Sequence, residues 1–147
     1  MSVVEVEVDV EAPLDAVWKV VSDPKNLPRW NRHIVSVEGV PDDGLRKGSA
    51  YTTHVSFMGV HATINAKVVE LRPPEYARVQ LSGLIDGTVE TWLEHREGGK
   101  TRLRHRIDYR FKGGPLGAFA ARAVSAMGAA RLLRRGARSQ KAHAERR

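Results

Sequence analysis

Residues 101–111 constrain the fold more than any other segment. Leu103, His105, Ile107, Tyr109 and Phe111 alternate with Arg102, Arg104, Arg106, Asp108 and Arg110. Successive side chains of a strand point to opposite faces, so this strand has one nearly apolar face and one charged face. A sheet built on it needs cover on one side and can meet water on the other. The N-terminus follows the same rule, with Val4, Val6, Val8 and Val10 alternating with Glu5, Glu7, Asp9 and Glu11.

Further strands are predicted at 33–40, 49–57, 60–71, 76–82 and 88–96. The breaks carry turn chemistry: Pro41-Asp42-Asp43-Gly44, Met58-Gly59, Pro73-Pro74, Asp86-Gly87 and Gly98-Gly99. Short connections suit antiparallel neighbours. Between the first strand and the rest, Pro13 and Asp15 open a helix with Leu14, Val17, Trp18 and Val21 on one stripe. Asp23-Pro24 stops it and leads into a second short helix holding Leu27 and Trp30. After the strands, Gly113-Gly114-Pro115 starts a long helix running to about Arg138. Leu116, Phe119, Ala120, Ala123, Met127 and Ala130 share its apolar face, which Arg134, Arg138 and Lys141 take over past Leu133. The helix is therefore expected to leave the body near Leu133.

The expected class is α+β: a curved seven-stranded antiparallel sheet wrapped around a long C-terminal helix, with two short helices after the first strand. The last helix is the element long enough to cover the apolar face. One domain is expected over residues 1–138, with a flexible basic tail at 139–147.

The net charge of +7 suggests a nucleic-acid protein until it is divided along the chain. Residues 1–130 hold 17 basic and 16 acidic side chains, whereas residues 131–147 hold seven basic ones and Glu145. The basicity belongs to the C-terminal end. In the body, the arginine row of the last strand has Glu5, Glu7 and Asp9 expected on one side and Glu90 and Glu94 on the other, a cross-strand pairing device. Nucleic acid is not expected as a partner of the body. The segment Arg131–Arg147 either solubilises the end or docks on nucleic acid, an anionic membrane or an acidic partner.

The chain has no cysteine, so thiolate metal sites and cysteine nucleophiles are excluded. Its six histidines show no HxH or HxxxH pair, and no metal or cofactor is expected. No phosphate-cradling glycine loop and no G-x-S-x-G elbow occurs. The alternating acidic N-terminus lacks the pattern of a secretory signal, and a cytoplasmic location is expected.

These residues together resemble a known family. The phrase APLDAVWKVVSDPKNLPRW at 12–30, the Pro73-Pro74 pair, the glycine–threonine pattern near Thr101 and GGPLG at 113–117 resemble the START / Bet v 1-like helix-grip superfamily (SRPBCC). Within it they look most like the polyketide cyclase/dehydrase and lipid-transport branch. GGPLG is also similar to the helix entry of the superfamily members associated with carbon-monoxide dehydrogenase. The resemblance implies a cavity for a hydrophobic ligand, and no particular reaction.

The cavity candidates are Trp30 from the second helix, Tyr51 and Phe57, then Ile64, Val79 and Leu81 of the middle strands. Thr91, Leu93, His105, Ile107 and Tyr109 follow on the last two strands, and Phe119, Ala123 and Met127 on the helix. Tyr51 and Phe57 are the better inward choice over His54 on their strand. Polar residues on an apolar inner face are informative. His105 could orient a carbonyl or a phenol, act as a general base, or be a hydrogen-bonded core histidine, and Tyr109 has the same options. Trp92 falls on the outward phase with Glu90 and Glu94, which marks either a bulge or a contact surface. The leading expectation is a carrier or sequestering protein for a lipid, quinone or polyketide-like molecule. The alternative is an aromatase/cyclase using His105 and Tyr109, and a further one is a docking module acting through the basic end.

Overall fold

The computed structural model describes residues 2–31, 33–57, 59–111, 113–115, 118, 121–122 and 128–145. Strand β1 (Ser2–Val10) leads into helix α1 (Leu14–Val21), a 3-10 turn (Pro24–Asn26) and the one-turn helix α2 (Leu27–Trp30). Six strands follow: β2 (Ile34–Glu38), β3 (Ala50–Phe57), β4 (Val60–Arg72), β5 (Tyr76–Gly83), β6 (Ile85–Arg96) and β7 (Lys100–Phe111). Helix α3 (Ala129–Glu145) closes the chain. The strands form one antiparallel sheet in the order β1-β7-β6-β5-β4-β3-β2. This is the helix-grip arrangement expected from the alternation patterns: a curled half-barrel whose concave face is covered by α3.

The outer face resolves the two questions that charge and Trp92 posed. Glu5, Glu7 and Asp9 of β1 register against Arg106, Arg104 and Arg102 of β7. These arginines register in turn against Glu90, Trp92 and Glu94 of β6. Arg102 Nε lies 3.2 Å from Glu7 and 3.1 Å from Asp9. No bulge interrupts β6–β7 pairing, so Trp92 does face outward. The Arg104 guanidinium sits 4.2 Å from its ring centre, and the Tyr76 ring centre lies 5.6 Å away. The Tyr76 hydroxyl donates to Glu90 at 2.6 Å. Trp92 thus fills its place in the charged row by stacking.

Two expectations about chain breaks are corrected. Asp86-Gly87 is not a turn: β6 begins at Ile85, and Gly87 registers with Tyr109. A Cβ at Gly87 would lie 2.0 Å from the Asp108 carbonyl oxygen, so glycine serves close strand approach there. The reversal occurs at Gly83, whose φ of +109° glycine adopts freely.

The second correction concerns the last helix, which does not leave the body near Leu133. Of the tail expected at 139–147, residues 139–145 continue α3, and Gln140 and Ala144 are buried. The reason is Gly128, at φ +82°, whose carbonyl accepts the first α3 hydrogen bond from the Leu132 amide. The helical phase restarts there. Its inner face becomes Leu133, Ala137, Gln140 and Ala144, at helical spacings of four, three and four. Arg131, Arg134, Arg135 and Arg138 occupy the exposed side. Gly136 brings the helix against α2, where a Cβ would meet the Trp30 carbonyl oxygen at 3.4 Å. At the C-terminal end, Glu145 accepts the Glu11 amide at 2.8 Å and pairs with Lys141 at 2.6 Å. Lys141 holds the Glu145 carboxyl below its ordinary range.

Val10, Ala12, Val17, Leu93, Leu103 and Ala144 form a buried apolar cluster under α1 and the end of α3. Val55, Leu84 and Ile85 form a second cluster across the sheet. Trp92→Ala removes two stacking partners at once and should lower stability by about 1–2 kcal/mol in urea unfolding, while Trp92→Phe should retain most of it.

Candidate functional site

A cavity of about 400 Å³ lies between the concave face of the sheet, the α1–α2 segment and α3. Strand alternation delivers its walls. From β3 come Tyr51, Thr53 and Val55, and from β4 Ile64, Ala66 and Val68. Strand β5 adds Ala77, Val79 and Leu81, and β6 adds Val89 and Thr91. His105, Ile107, Tyr109 and Phe111 of β7 complete the sheet wall. Trp18 and Trp30 reach in from the short helices, and Leu133, Ala137 and Gln140 from α3.

Of the residues expected from the sequence, Trp30, Tyr51, Ile64, Val79, Leu81, Thr91, His105, Ile107 and Tyr109 all border this one space. Leu93 does not. It shares the inner phase but lies beyond the cavity end, 4% exposed among Val10, Val17 and Leu103. The Phe57 side chain and Phe119, Ala123 and Met127 lie outside the described residues. His54 points outward and meets Glu38 at 2.7 Å, as the choice of Tyr51 for the inner phase implied.

The polar part of the lining is small and ordered. The Thr91 hydroxyl lies 2.9 Å from His105 Nδ1, and His105 Nε2 lies 2.7 Å from Gln140 Oε1. With the proton on Nε2, His105 donates to the Gln140 oxygen and accepts the Thr91 hydroxyl proton. The opposite assignment would leave the Gln140 amide oxygen facing a ring nitrogen that has no proton to donate. Burial holds the His105 pKa below its ordinary value, partly offset by the Gln140 bond, so the ring is neutral. Both ring nitrogens are engaged, which leaves His105 as a holder of Gln140. The amide N–H bonds of Gln140 have no partner among the described residues.

Tyr51 and His33 also border the cavity, with Ser22, Asn31 and Thr53. Burial pushes the Tyr51 phenol up to about 12, so it is a neutral hydroxyl at any ordinary pH. His33 Nε2, at the α2–β2 junction, is out of solvent and has no partner among the described residues. Among the described lining residues none carries a carboxylate, ammonium or guanidinium group. The arrangement can enclose an apolar molecule and offer it a few hydrogen-bonding groups.

Gln140 is the cavity residue that the sequence pattern did not reveal. Continuing the helical phase of Leu116–Met127 through Gly128 turns Gln140 away from the sheet. The signal that finds it is the stripe Leu133, Ala137, Gln140 and Ala144 read as a fresh helix after a glycine.

Neutral His105 carries a pH signature. The unfolded state takes up a proton near pH 6.5, and the folded state resists it until lower pH. Stability should therefore be full above about pH 7 and decline as pH falls from about 6.5 toward the lower folded-state value. His105→Gln should flatten that part of the urea-midpoint profile.

The family model for polyketide cyclase / dehydrase and lipid transport matches residues 1–145. No curated protein sequence matches the chain significantly. Among solved structures, the Zhui aromatase/cyclase from Streptomyces sp. R1128 superposes with a TM-score of 0.80 at 20% identity, covering 99% of this chain and 94% of that one. A START superfamily protein from Mycobacterium smegmatis gives 0.71 at 18% identity, with 97% of both chains covered. A major latex-like protein from Panax ginseng gives 0.66 at 12% identity, covering 97% of this chain and 96% of that one. At these identities the likeness is one of fold. The chain belongs to the polyketide cyclase / dehydrase and lipid transport family.

Proposed function

We propose, with that membership as the premise, that this protein binds a hydrophobic small molecule in the cavity between the sheet and α3, as a carrier or sequestering protein. The observation that carries the reading is the cavity itself, about 400 Å³ with mostly aliphatic and aromatic walls. Well-packed interiors leave few voids larger than a water molecule, so an apolar space of this size favours an occupant. Trp30, Tyr51, Ile64, Val79, Leu81, Ile107 and Tyr109 would supply the contact surface, and Thr91, His105 and Gln140 the polar contribution. No helix among the described residues is long and apolar enough to cross a membrane.

The second reading is an aromatase/cyclase, favoured by the family and by the likeness to an aromatase/cyclase of known structure. In it, His105 and Tyr109 would polarise or deprotonate a poly-β-ketone. The geometry supports this reading less. His105 would first have to give up Thr91 or Gln140, and Tyr109 packs edge-on against Phe111 at 5.7 Å. Adding the protein to a minimal polyketide synthase separates the two readings: the carrier reading expects an unchanged product distribution, and a distribution altered by wild type and restored by His105→Ala would favour the enzyme.

Binding is tested with N-phenyl-1-naphthylamine, a neutral probe that brightens in apolar surroundings. Saturable micromolar binding is expected, weakened at least about tenfold by Val79→Trp, which fills the cavity, and unchanged by Arg134→Ala on the exposed side of α3. Circular dichroism confirms that each variant folds. Equal binding by a folded Val79→Trp protein would refute the assignment.

A further inference from the structure

The polar equipment of the cavity defines the chemistry of its occupant. Gln140 lines the cavity and is 8% exposed, its amide oxygen is committed to His105 Nε2, and its N–H bonds have no partner among the described residues. His105 is fixed in turn by Thr91. A ligand oxygen placed against these N–H bonds would give them an acceptor inside an apolar space, where a hydrogen bond is worth most. The Tyr51 hydroxyl and His33 Nε2 likewise have no partner among the described residues, and no carboxylate, ammonium or guanidinium group lies among the described lining residues. An ionised carboxylate or phosphate would meet no ammonium or guanidinium among the described lining residues, and burying an unpaired charge costs far more than burying a paired dipole.

We infer that the cavity selects a neutral, largely apolar molecule bearing a carbonyl or similar oxygen acceptor, that the Gln140 amide N–H donates to this oxygen, and that free fatty-acid anions and phosphorylated lipids are rejected. His105 and Thr91 are positioning residues: they turn the amide so that its oxygen faces the sheet and its N–H bonds face the ligand. This rests on the reading of the cavity as a binding site and adds the ligand's chemical class.

Three fluorescent probes of one shape test it: 2-ethylanthracene, 2-acetylanthracene and anthracene-2-carboxylate, titrated at pH 8 into the full chain. The carboxylate should bind at least about tenfold more weakly than the ketone. Gln140→Met keeps length and burial but removes the donor. It should shift the ketone-to-hydrocarbon affinity ratio about tenfold toward the hydrocarbon, leaving hydrocarbon binding nearly unchanged. Thr91→Val, which frees the imidazole, should shift the same ratio in the same direction by less. This variant keeps the test open should Gln140→Met not fold. An unchanged ratio in folded Gln140→Met or Thr91→Val, or a carboxylate that binds as tightly as the ketone, overturns the inference while the binding site stands. If neither the hydrocarbon nor the ketone binds, the binding-site reading falls, and the inference falls with it.

Discussion

The hydrogen bond between Gln140 and His105 ties the terminal helix to the last strand out of solvent, and much of the structure depends on it. It fixes the rotation of α3. A turn of one residue, about 100° around the helix axis, would bring Ser139 or Lys141 to the sheet and leave the imidazole proton without an acceptor. Ala137 and Ala144, each 1% exposed, then face the body of the molecule. Where the helix does not touch, the cavity remains. The same bond sets the tautomer of His105 and the orientation of the amide, so one interaction serves both architecture and site.

The two faces of the sheet divide the electrostatic work. On the convex side, carboxylates and arginines alternate across β1, β7 and β6, and Trp92 takes the one register position among them that carries no charge. Such exposed pairs contribute little to stability, but they satisfy one another at the surface. On the concave side the described lining carries no carboxylate, ammonium or guanidinium group, and Thr91, His105 and Gln140 are bonded to one another. The arginines of α3 stand on its outer side, remote from that space. The positive net charge and the apolar cavity therefore belong to different surfaces of the molecule.

Much of this was legible in the sequence, because period-two alternation reports directly which residues face inward. That alternation placed His105, Tyr109, Thr91, Ile64 and Val79 on one wall and the arginine row on the other. It misplaced Leu93 because phase gives the face of a strand and not the distance along it, and the cavity ends before Leu93. Helical phase was read less well. Gly128 resets it, and a period carried through a glycine with positive φ points the wrong residues at the core. That single break hid Gln140 and made residues 139–145 look like a solvated tail. Gly87 misled in a similar way: glycine marks both turns and close strand approaches, and only tertiary packing distinguishes them.

The central claim is that the space between the sheet and α3 holds an apolar molecule. Native mass spectrometry of gently purified full-length protein tests it most directly, with solvent extraction to identify what is released. The account predicts a bound neutral organic species that the Val79→Trp protein lacks. Wild-type protein that carries nothing, and takes up nothing when offered neutral apolar compounds at high micromolar concentration, would contradict it.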